Sequence, residues 1–260
     1  MTLRSIAVVL CAAALGGCSK DAVQTITAPV SGAQIKFFNF AVATPPGATP
    51  AVNFYADNAK MTAITSGTGQ ESTLGTGTGS VGNGGLYSVI PPGPYTVTGR
   101  VAATTDNGLA IATLAVSLAD GKYYSMYMSG YYNTTSKTTD AFTLEDPFPA
   151  QIDYTVAYVR FVNASANASP MTLYAKNTTS GVEAAVGGAA AYKSAGNFVT
   201  VQNGVYDLST RNTGSATNVV TRTGISFSAG RVYTIAAFGD VTVTSSTAAN
   251  RVRLDNTTNR

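Results

Sequence analysis

Cys18 is the residue of this chain whose surroundings point most directly to a chemical modification. An apolar run over residues 6–15 precedes it, with Arg4 before the run and two glycines after it. A positive residue, about ten apolar residues and a small-residue stretch are typical of a secretory signal peptide. The run is also too short to span a bilayer. We therefore predict a signal peptide over residues 1–17.

The stretch Leu15-Gly16-Gly17-Cys18 resembles the bacterial lipobox, in which small residues precede a cysteine that begins the mature protein. The resemblance implies that Cys18 carries a thioether-linked diacylglycerol and usually an amide-linked acyl chain. Such chains, at roughly 0.8 kcal/mol per buried methylene, anchor a protein stably to a lipid bilayer. The implied location is the bacterial cell envelope, and Ser19 implies the outer membrane by analogy with Gram-negative lipoproteins. The alternative is an ordinary signal peptide with an incidental cysteine.

A group of tyrosines close in sequence could bind a ligand: Tyr123, Tyr127, Tyr131 and Tyr132. Residues 122–128 alternate, so that Tyr123 and Tyr127 face outward if Tyr124, Met126 and Met128 face a core. Exposed tyrosines stack on sugar rings or anchor protein partners. One hypothesis is therefore that these tyrosines form a glycan-binding or protein-binding surface. The alternative is that the tyrosines pack against another domain or against a Gly-rich loop.

The composition excludes several kinds of chemistry. The chain of 260 residues has no histidine, which excludes Ser-His-Asp hydrolases and metal sites with histidine ligands. A net charge of +3 is too small to indicate nucleic-acid binding. We therefore predict no catalytic residue, no metal site, no cofactor and no nucleic-acid partner. The sequence does not indicate an oligomeric state.

The elements that must position these residues are duplicated. The offset between matched residues falls from 124 (Ile35 to Val159) to 109 (Gly121 to Gly230), always in the same direction. Loop deletions in the second copy would produce this trend. The matched blocks are Ile35–Asn39 with Val159–Asn163, Phe54–Ala56 with Leu173–Ala175, Gly93–Val97 with Gly204–Leu208, and Gly121–Met126 with Gly230–Ile235.

Each matched block alternates with the period of a β-strand. In the first block Ile35 and Phe37 share one face while Lys36 points the other way, and Arg160 repeats the position of Lys36 in the second copy. We therefore predict strands with a charged outer face. The Ala-rich segment 184–195 is interrupted by two glycines and does not predict a helix.

Runs rich in Val, Thr, Tyr and Ile between turn residues predict an all-β fold. We predict two tandem immunoglobulin-like β-sandwich domains after the signal peptide. The expected boundaries are a flexible tether over 18–32, a first repeat over 33–146, a linker over 147–155 and a second repeat over 156–260. Two prolines in three residues suit an extended linker.

The matched blocks also resemble a known family. "Val-Arg-Phe-Val-Asn-Ala-Ser" from Val159, followed by "Leu-Tyr", "Gly-x-Tyr" and "Gly-x-x-Tyr-Thr", is similar to the domain of unknown function 4397 family. The second copy matches best, and the first resembles a diverged version. The resemblance implies tandem domains in a secreted protein or an envelope lipoprotein. It implies no activity.

Two patterns that could suggest an enzyme have simpler explanations. Gly77, Gly79 and Gly82 follow a nucleotide-loop pattern, but the next residues cannot begin a helix, so we predict a flexible Gly/Thr loop inserted in the first copy only. Several acidic residues, among them Asp57, Asp106 and Asp120, lie beside Asn or Gly, as turn formers do. The preferred function is a non-catalytic envelope lipoprotein that binds or scaffolds at the surface. The alternatives are a carbohydrate-binding module of a polysaccharide system or, less favoured, a carboxylate-dependent hydrolase.

Overall fold

The computed structural model describes residues 31–44, 47–62 and 74–260. Residues 32–260 form one compact unit. The predicted signal peptide and Cys18 lie outside the described residues, as does the tether up to residue 30. The lipid anchor, its bilayer partner and the predicted domain boundaries stay predictions.

The first copy of the repeat builds two sheets from ten strands. One sheet contains β1, β2, β5, β6, β9 and β10, and the other contains β3, β4, β7 and β8. The strands are β1 Ala33–Asn39, β2 Val42–Ala43, β3 Val52–Ala56, β4 Ala59–Lys60, β5 Ser80–Val81, β6 Ser88–Ile90, β7 Gly93–Val101, β8 Ala110–Leu118, β9 Tyr123–Asn133 and β10 Thr138–Glu145.

The second copy builds two further sheets. One has the order β14-β11-β18-β19 with β15 also paired to β11, and the other has the order β13-β12-β16-β17. The strands are β11 Val156–Ala164, β12 Met171–Asn177, β13 Glu183–Ala190, β14 Ser194–Ala195, β15 Val199–Gln202, β16 Gly204–Asn212, β17 Asn218–Phe227, β18 Val232–Phe238 and β19 Arg253–Thr258.

The two copies have the same pairing register, which confirms the duplication. Strand β1 runs parallel to β9 with Phe37 opposite Met126. Strand β11 runs parallel to β18 with Phe161 opposite Ile235. These are the positions that the sequence comparison matched. The predicted all-β class with two tandem sandwiches is therefore confirmed.

Four sheets are stacked as layers. One core lies between the two sheets of the first copy and contains Phe37, Phe54 and Met126. Another core lies between the two sheets of the second copy and contains Phe161 and Ile235. A third hydrophobic cluster joins residues of β1, β9 and β10 to residues of β11 and β18. The two inner sheets therefore pack on each other face to face.

The prediction that Lys36 and Arg160 lie on a charged outer face is wrong. They do point away from their own sandwich cores, as the alternation predicted. However, Lys36 is 0% and Arg160 is 1% exposed. The reason is that the outer face of each inner sheet is covered by the other copy, so a position that is outward in one sandwich is buried between two.

Residues 67–73 of the predicted Gly/Thr loop lie outside the described residues, so its insertion in the first copy only stays a prediction. The end of the segment, however, is a regular part of the repeat. It leads into β5, which pairs with β1 by placing Val81 opposite Phe38. The second copy has a counterpart, because β14 pairs with β11 by placing Ala195 opposite Val162. Gly79 has a positive φ of 77°, and a Cβ there would lie 3.1 Å from the Phe238 ring. Glycine lets this segment approach the second copy closely.

The described residues contain one 3₁₀ turn, Gly82–Gly85. Within residues 31–44, 47–62 and 74–260, the structure has no helix with the length and hydrophobicity that a membrane span requires.

Candidate functional site

The interface between the two sandwiches has an aromatic centre. Phe38 and Tyr127 stack with ring centroids 4.6 Å apart, and Tyr127 stacks on Phe142 at 4.9 Å. Phe40 of the first copy stacks on Phe238 of the second copy at 4.4 Å with nearly parallel rings. Stacked aromatic pairs are worth about 0.5–1.5 kcal/mol beyond the area they bury. This cluster holds the two inner sheets together.

The aromatic centre is asymmetric between the matched positions. Tyr127 pairs with Phe38 in the first copy, whereas Ala236 pairs with Val162 at the equivalent positions of the second copy. At these two positions, large side chains of the first copy are therefore matched by small side chains of the second in the same cluster. Protein interiors pack as densely as crystals of small molecules. A large side chain on one face opposite a small one on the other therefore lets these two related faces pack together without a gap.

A buried ion pair lies beside the aromatic centre. The Arg160 guanidinium contacts the Asp146 carboxylate, and the two side chains are 1% and 0% exposed. Ser125 Oγ donates to Asp146 Oδ2 at 2.7 Å, and the Tyr87 hydroxyl donates to the same oxygen at 2.5 Å. Asp146 is thus bound by a cation of the second copy and by two hydroxyls of the first.

Arg160 has further hydrogen bonds on both sides of the interface. Its Nε donates to Thr234 Oγ1 at 3.0 Å within the second copy. Its Nη1 donates to the carbonyl oxygen of Glu145 at 3.0 Å, at the end of β10 in the first copy. A buried charge is tolerated when it is paired and its remaining donors are bonded, and Arg160 meets both conditions.

Lys36 crosses the interface in the opposite direction. Its Nζ donates to the carbonyl oxygen of Thr258 at 3.3 Å and to Asn259 Oδ1 at 3.2 Å, both in the second copy. The same Nζ lies 4.3 Å from the centre of the Tyr87 ring, a cation–π geometry. The lysine of the first copy and the arginine of the second therefore each reach across to the other copy from matched positions.

Burial lowers the pKa of Lys36 from 10.5 to about 8, with the Asp146 charge acting in the opposite direction and Arg160 lowering it further. Burial also raises the pKa of Tyr87, and its bond to Asp146 adds to the effect. Asp255, which also acts on Lys36, has a pKa raised by burial and opposed by Thr257. The interface thus encloses two cations and two carboxylates.

The low pKa of Lys36 predicts a pH-dependent stability. Between about pH 8 and 10.5 the unfolded chain still binds a proton at Lys36, whereas the folded chain has released it. The contribution of this group to stability therefore rises with pH in that window, by about 1.4 kcal/mol per pH unit. The free energy of unfolding of the wild type should therefore rise, relative to that of Lys36→Met, by about 2.5 kcal/mol between pH 7 and 10.

Urea unfolding of both chains at each pH measures this difference, and ionisation of other groups cancels in it. A difference that stays constant from pH 7 to 10 would show that Lys36 keeps an ordinary pKa at the interface.

Four aromatic rings cover the ion pair on its solvent side. Tyr123 lies 5.2 Å from Tyr87 and 4.9 Å from Phe148, and Phe148 lies 5.7 Å from Phe198 of the second copy. Arg160 lies 4.8 Å from the Phe198 ring centre. The Tyr87 and Tyr123 rings are nearly perpendicular, at 86°. These rings form an apolar cover over the charges rather than a flat platform for a sugar.

The tyrosines that the sequence singled out occupy different environments. Tyr127 is 0% exposed and Tyr132 is 7% exposed, so the prediction that they form an outer surface is wrong for both. Tyr127 is covered by the second copy, and Tyr132 packs in the first core. Tyr123 and Tyr131 are half-buried. Burial and a hydrogen bond with Asp240 raise the pKa of Tyr131 to about 12.

Several residues of the site were not singled out by sequence reasoning as functional. The expected boundaries made Asp146 the last residue of the first repeat, beside the linker, and Tyr87 was not among the candidate residues. The signal that could have found the site is the repeated cation at Lys36 and Arg160. A charged residue that occupies the same strand position in both copies, between apolar neighbours, is more consistent with a side chain bound to a buried partner than with one exposed to solvent.

Two clefts open where β19 faces the Gly-rich segment and its flanking loop. The larger, about 490 Å³, is lined by residues 84–87 of the first copy and by Arg231 and residues 256–260 of the second, with Val81. The smaller, about 250 Å³, is lined by Val42, Ala43, residues 47–49, Thr78, Ala249, Asn250 and Arg253. Both clefts are formed jointly by the two copies.

Comparison with solved structures gives low similarity. A "putative cell adhesion protein" from Bacteroides ovatus ATCC 8483 is 13% identical, with a TM-score of 0.22, over 86% of this chain and 94% of that one. A second protein so described, from Bacteroides eggerthii DSM 20697, is 11% identical, with a TM-score of 0.22, over 88% of this chain and 97% of that one. A comparison with curated protein sequences gives no significant match.

A family model matches the second copy of the repeat. The match covers residues 157–259, from β11 through β19. It includes Arg160 and the β18 positions that pack against the first copy, so the half of the interface contributed by this copy lies within the matched region. The second sandwich, residues 157–259, belongs to the family described as Domain of unknown function (DUF4397).

Proposed function

We propose that this protein is a non-catalytic envelope lipoprotein in which two duplicated sandwiches act as one rigid scaffold. The observation that carries the proposal is the buried Asp146–Arg160 pair, with Lys36 crossing in the opposite direction. Isolated sandwiches joined by a flexible linker would leave these charges in water. Buried with directional partners, they select one relative orientation of the two copies, which is the role best attested for buried polar groups.

The arrangement does not favour an enzyme. The carboxylate most deeply buried among the acidic residues described, Asp146, is held by Arg160, Tyr87 and Ser125. Hydrolysis of a glycosidic bond uses a pair of carboxylates that face a substrate across an open cleft. Asp146 is instead committed to the interface, which supports a structural role.

The lipid anchor completes the proposed scaffold. Residues 19–31 are mostly polar or small. An extended chain spans at most about 3.3–3.6 Å per residue, so this tether would reach roughly 40 Å from the bilayer. The two docked sandwiches would then be held at a distance from the bilayer that the tether limits. Their binding surfaces would keep one fixed arrangement relative to each other.

The anchor is tested by labelling with radioactive palmitate and by membrane fractionation in a Gram-negative host. We expect the wild type to be labelled and to sediment with membranes, and Cys18→Ala to lose the label and become soluble. Cys11→Ala is the matched control, since it lies in the segment to be removed and should change neither result. An unlabelled wild type, or Cys18→Ala that stays in the membrane fraction, would contradict the proposal.

A further inference from the structure

One edge strand of the first sandwich lacks the features that keep sheet edges apart. Strand β8 ends the order β4-β3-β7-β8, and within the described residues it pairs only with β7. It is nine residues long, Ala-Ile-Ala-Thr-Leu-Ala-Val-Ser-Leu, with no charged residue, no proline and no glycine. An exposed edge strand presents a row of unpaired backbone donors and acceptors that can pair with another chain. Strand β8 is therefore a candidate for the addition of a partner strand.

The other edge strands in the described part of the chain differ from β8. Strands β10, β13, β17 and β19 each contain at least one charged residue. The remaining edge strands are only two to four residues long. Charged side chains and short strands are two of the means by which proteins prevent edge-to-edge association. Among the edge strands described, β8 alone is both long and uncharged.

The clearest contrast is with β17, the matched edge of the second copy. Leu114 of β8 lies opposite Val97. Arg222 of β17 lies opposite Leu208, the residue that the repeat matches to Val97. Arg222 Nη1 donates to the carbonyl oxygen of Leu254, in the other sheet of its sandwich, at 2.8 Å. An inward-pointing charge on an edge strand prevents pairing with another strand, and the first copy has leucine in that place.

The side chains of β8 also suit an identical partner. Leu114 and Val116 share the face of the buried Ala112, but they are only half-buried, so a second strand would cover more of their apolar surface. The nearest charged residues along the chain are bonded already: Asp106 to Lys137, Asp120 to the Gly32 amide, and Lys122 to Glu145. Neither a charge on β8 nor an unbonded charge beside it in sequence opposes the approach of a second copy.

We propose that β8 of one molecule pairs antiparallel with β8 of a second copy, about a two-fold axis close to Leu114. The two four-stranded outer sheets would then form one continuous sheet. A two-fold axis is the commonest symmetry of homo-oligomers, and it brings the same strand of both molecules together. Nine residues on each side are fewer than the roughly 20–30 of a standard interface, so the dimer should be weak and dependent on concentration. The inference goes beyond the proposed scaffold function, because it concerns the chain in solution and needs no lipid anchor.

The test is analytical ultracentrifugation of the chain without the signal peptide and with Cys18→Ser, over a range of concentrations. We expect the average mass of this reference chain to rise from that of one molecule toward that of two. Leu114→Arg, which copies the second sandwich, should weaken association about ten-fold or more, because it places like charges beside each other at the two-fold axis.

A second variant and a control complete the series, with urea unfolding to show that each chain is folded. Ala115→Lys should also weaken association, and Ala115 is exposed on the other face of β8, so this change leaves the core intact. Leu86→Arg is the matched control. It adds the same charge at a leucine that is 73% exposed in the larger cleft, and it should associate as the reference chain does.

Hydrogen exchange locates the contact. Amides of β8 that point away from β7 gain hydrogen-bond partners in the dimer, so their exchange should slow as the concentration rises, while exchange in β17 should not change. Distances within one molecule that involve a label on β8 should accordingly be recorded with the labelled chain diluted in unlabelled chain.

Four results would overturn the inference: a reference chain that stays monomeric at every concentration, unchanged association of Ala115→Lys, loss of association in Leu86→Arg, or unchanged exchange in β8. None of them alters the palmitate label on Cys18. A failure here is therefore distinguishable from failure of the scaffold proposal.

Discussion

Asp146→Ala should lower the free energy of unfolding by about 3–5 kcal/mol at pH 7, the largest effect expected of a single charge in this protein. The substitution leaves the Arg160 guanidinium, 1% exposed, without its counter-ion. It also removes the acceptor of the Tyr87 and Ser125 hydroxyls. Lys36 and Arg160 then remain as two buried cations, with the half-buried Asp255 to balance them.

The matched control is the neighbouring surface pair. Lys122 contacts Glu145 at 2.8 Å, with side chains 53% and 43% exposed. Exposed pairs contribute little to stability, so Lys122→Ala should leave the free energy of unfolding nearly unchanged. Urea unfolding monitored by tyrosine fluorescence measures all the variants on one scale.

A double variant separates the cost of breaking the pair from the value of the pair itself. Replacing both partners of a buried ion pair by apolar residues is often close to neutral. Asp146→Leu combined with Arg160→Met should therefore recover most of the stability that Asp146→Ala loses. A single variant that loses less than the surface control, or a double variant no better than the single, would show that the pair is not buried between the sandwiches.

Tyr127→Ala should cost about 3–5 kcal/mol, because it empties the centre of the interface. The Tyr127 ring is 0% exposed and stacks on both Phe38 and Phe142. The second copy cannot fill the space, since its facing side chains at Val162, Ala164 and Ala236 are small. Loss of aromatic contact should weaken the docking of the two sandwiches more than the folding of either.

Tyr154→Ala is the control for this substitution, because Tyr154 is 79% exposed and should change stability by less than about 0.5 kcal/mol. Chemical denaturation gives both values. Equal, small losses for the two tyrosines would mean that Tyr127 lies in solvent and that the two inner sheets do not pack on each other.

The sequence predicted the duplication and the strands well, because both depend on local signals. Alternation fixed which residues of β1 and β9 face the core, and Phe37 and Met126 do lie there. The matched blocks also implied that both copies pair their strands alike, which the registers of β1 with β9 and β11 with β18 confirm. Period-2 patterns and turn residues are read from neighbours in sequence, so no tertiary information was needed.

The site could not be predicted in the same way, because alternation says which face a side chain takes and not what covers that face. The alternation placed three side chains on the outer face of their own sandwich: Lys36, Arg160 and Tyr127. They do lie on that face, but the other sandwich covers it, so they are buried. The aromatic residues at Phe38 and Tyr127 with small counterparts at Val162 and Ala236 carried the missing information. Complementary volumes at matched positions of a duplicated chain indicate that the copies pack on each other.

Fixed docking of the two sandwiches is the central claim, and it is tested most directly by a distance between their outermost sheets. The described residues contain no cysteine. Spin labels can therefore be attached at two introduced cysteines, Thr113→Cys and Thr223→Cys, in a chain that carries Cys18→Ser and lacks the signal peptide. Both positions are exposed, on β8 and β17. Three sheet spacings of about 10 Å place the two strands about 30 Å apart.

Double electron–electron resonance on this doubly labelled chain should give one narrow distance distribution, set by the four stacked sheets and the length of the labels. A broad distribution extending to much longer distances would mean that the two sandwiches move independently about residues 147–155, and it would contradict the interface on which this account depends.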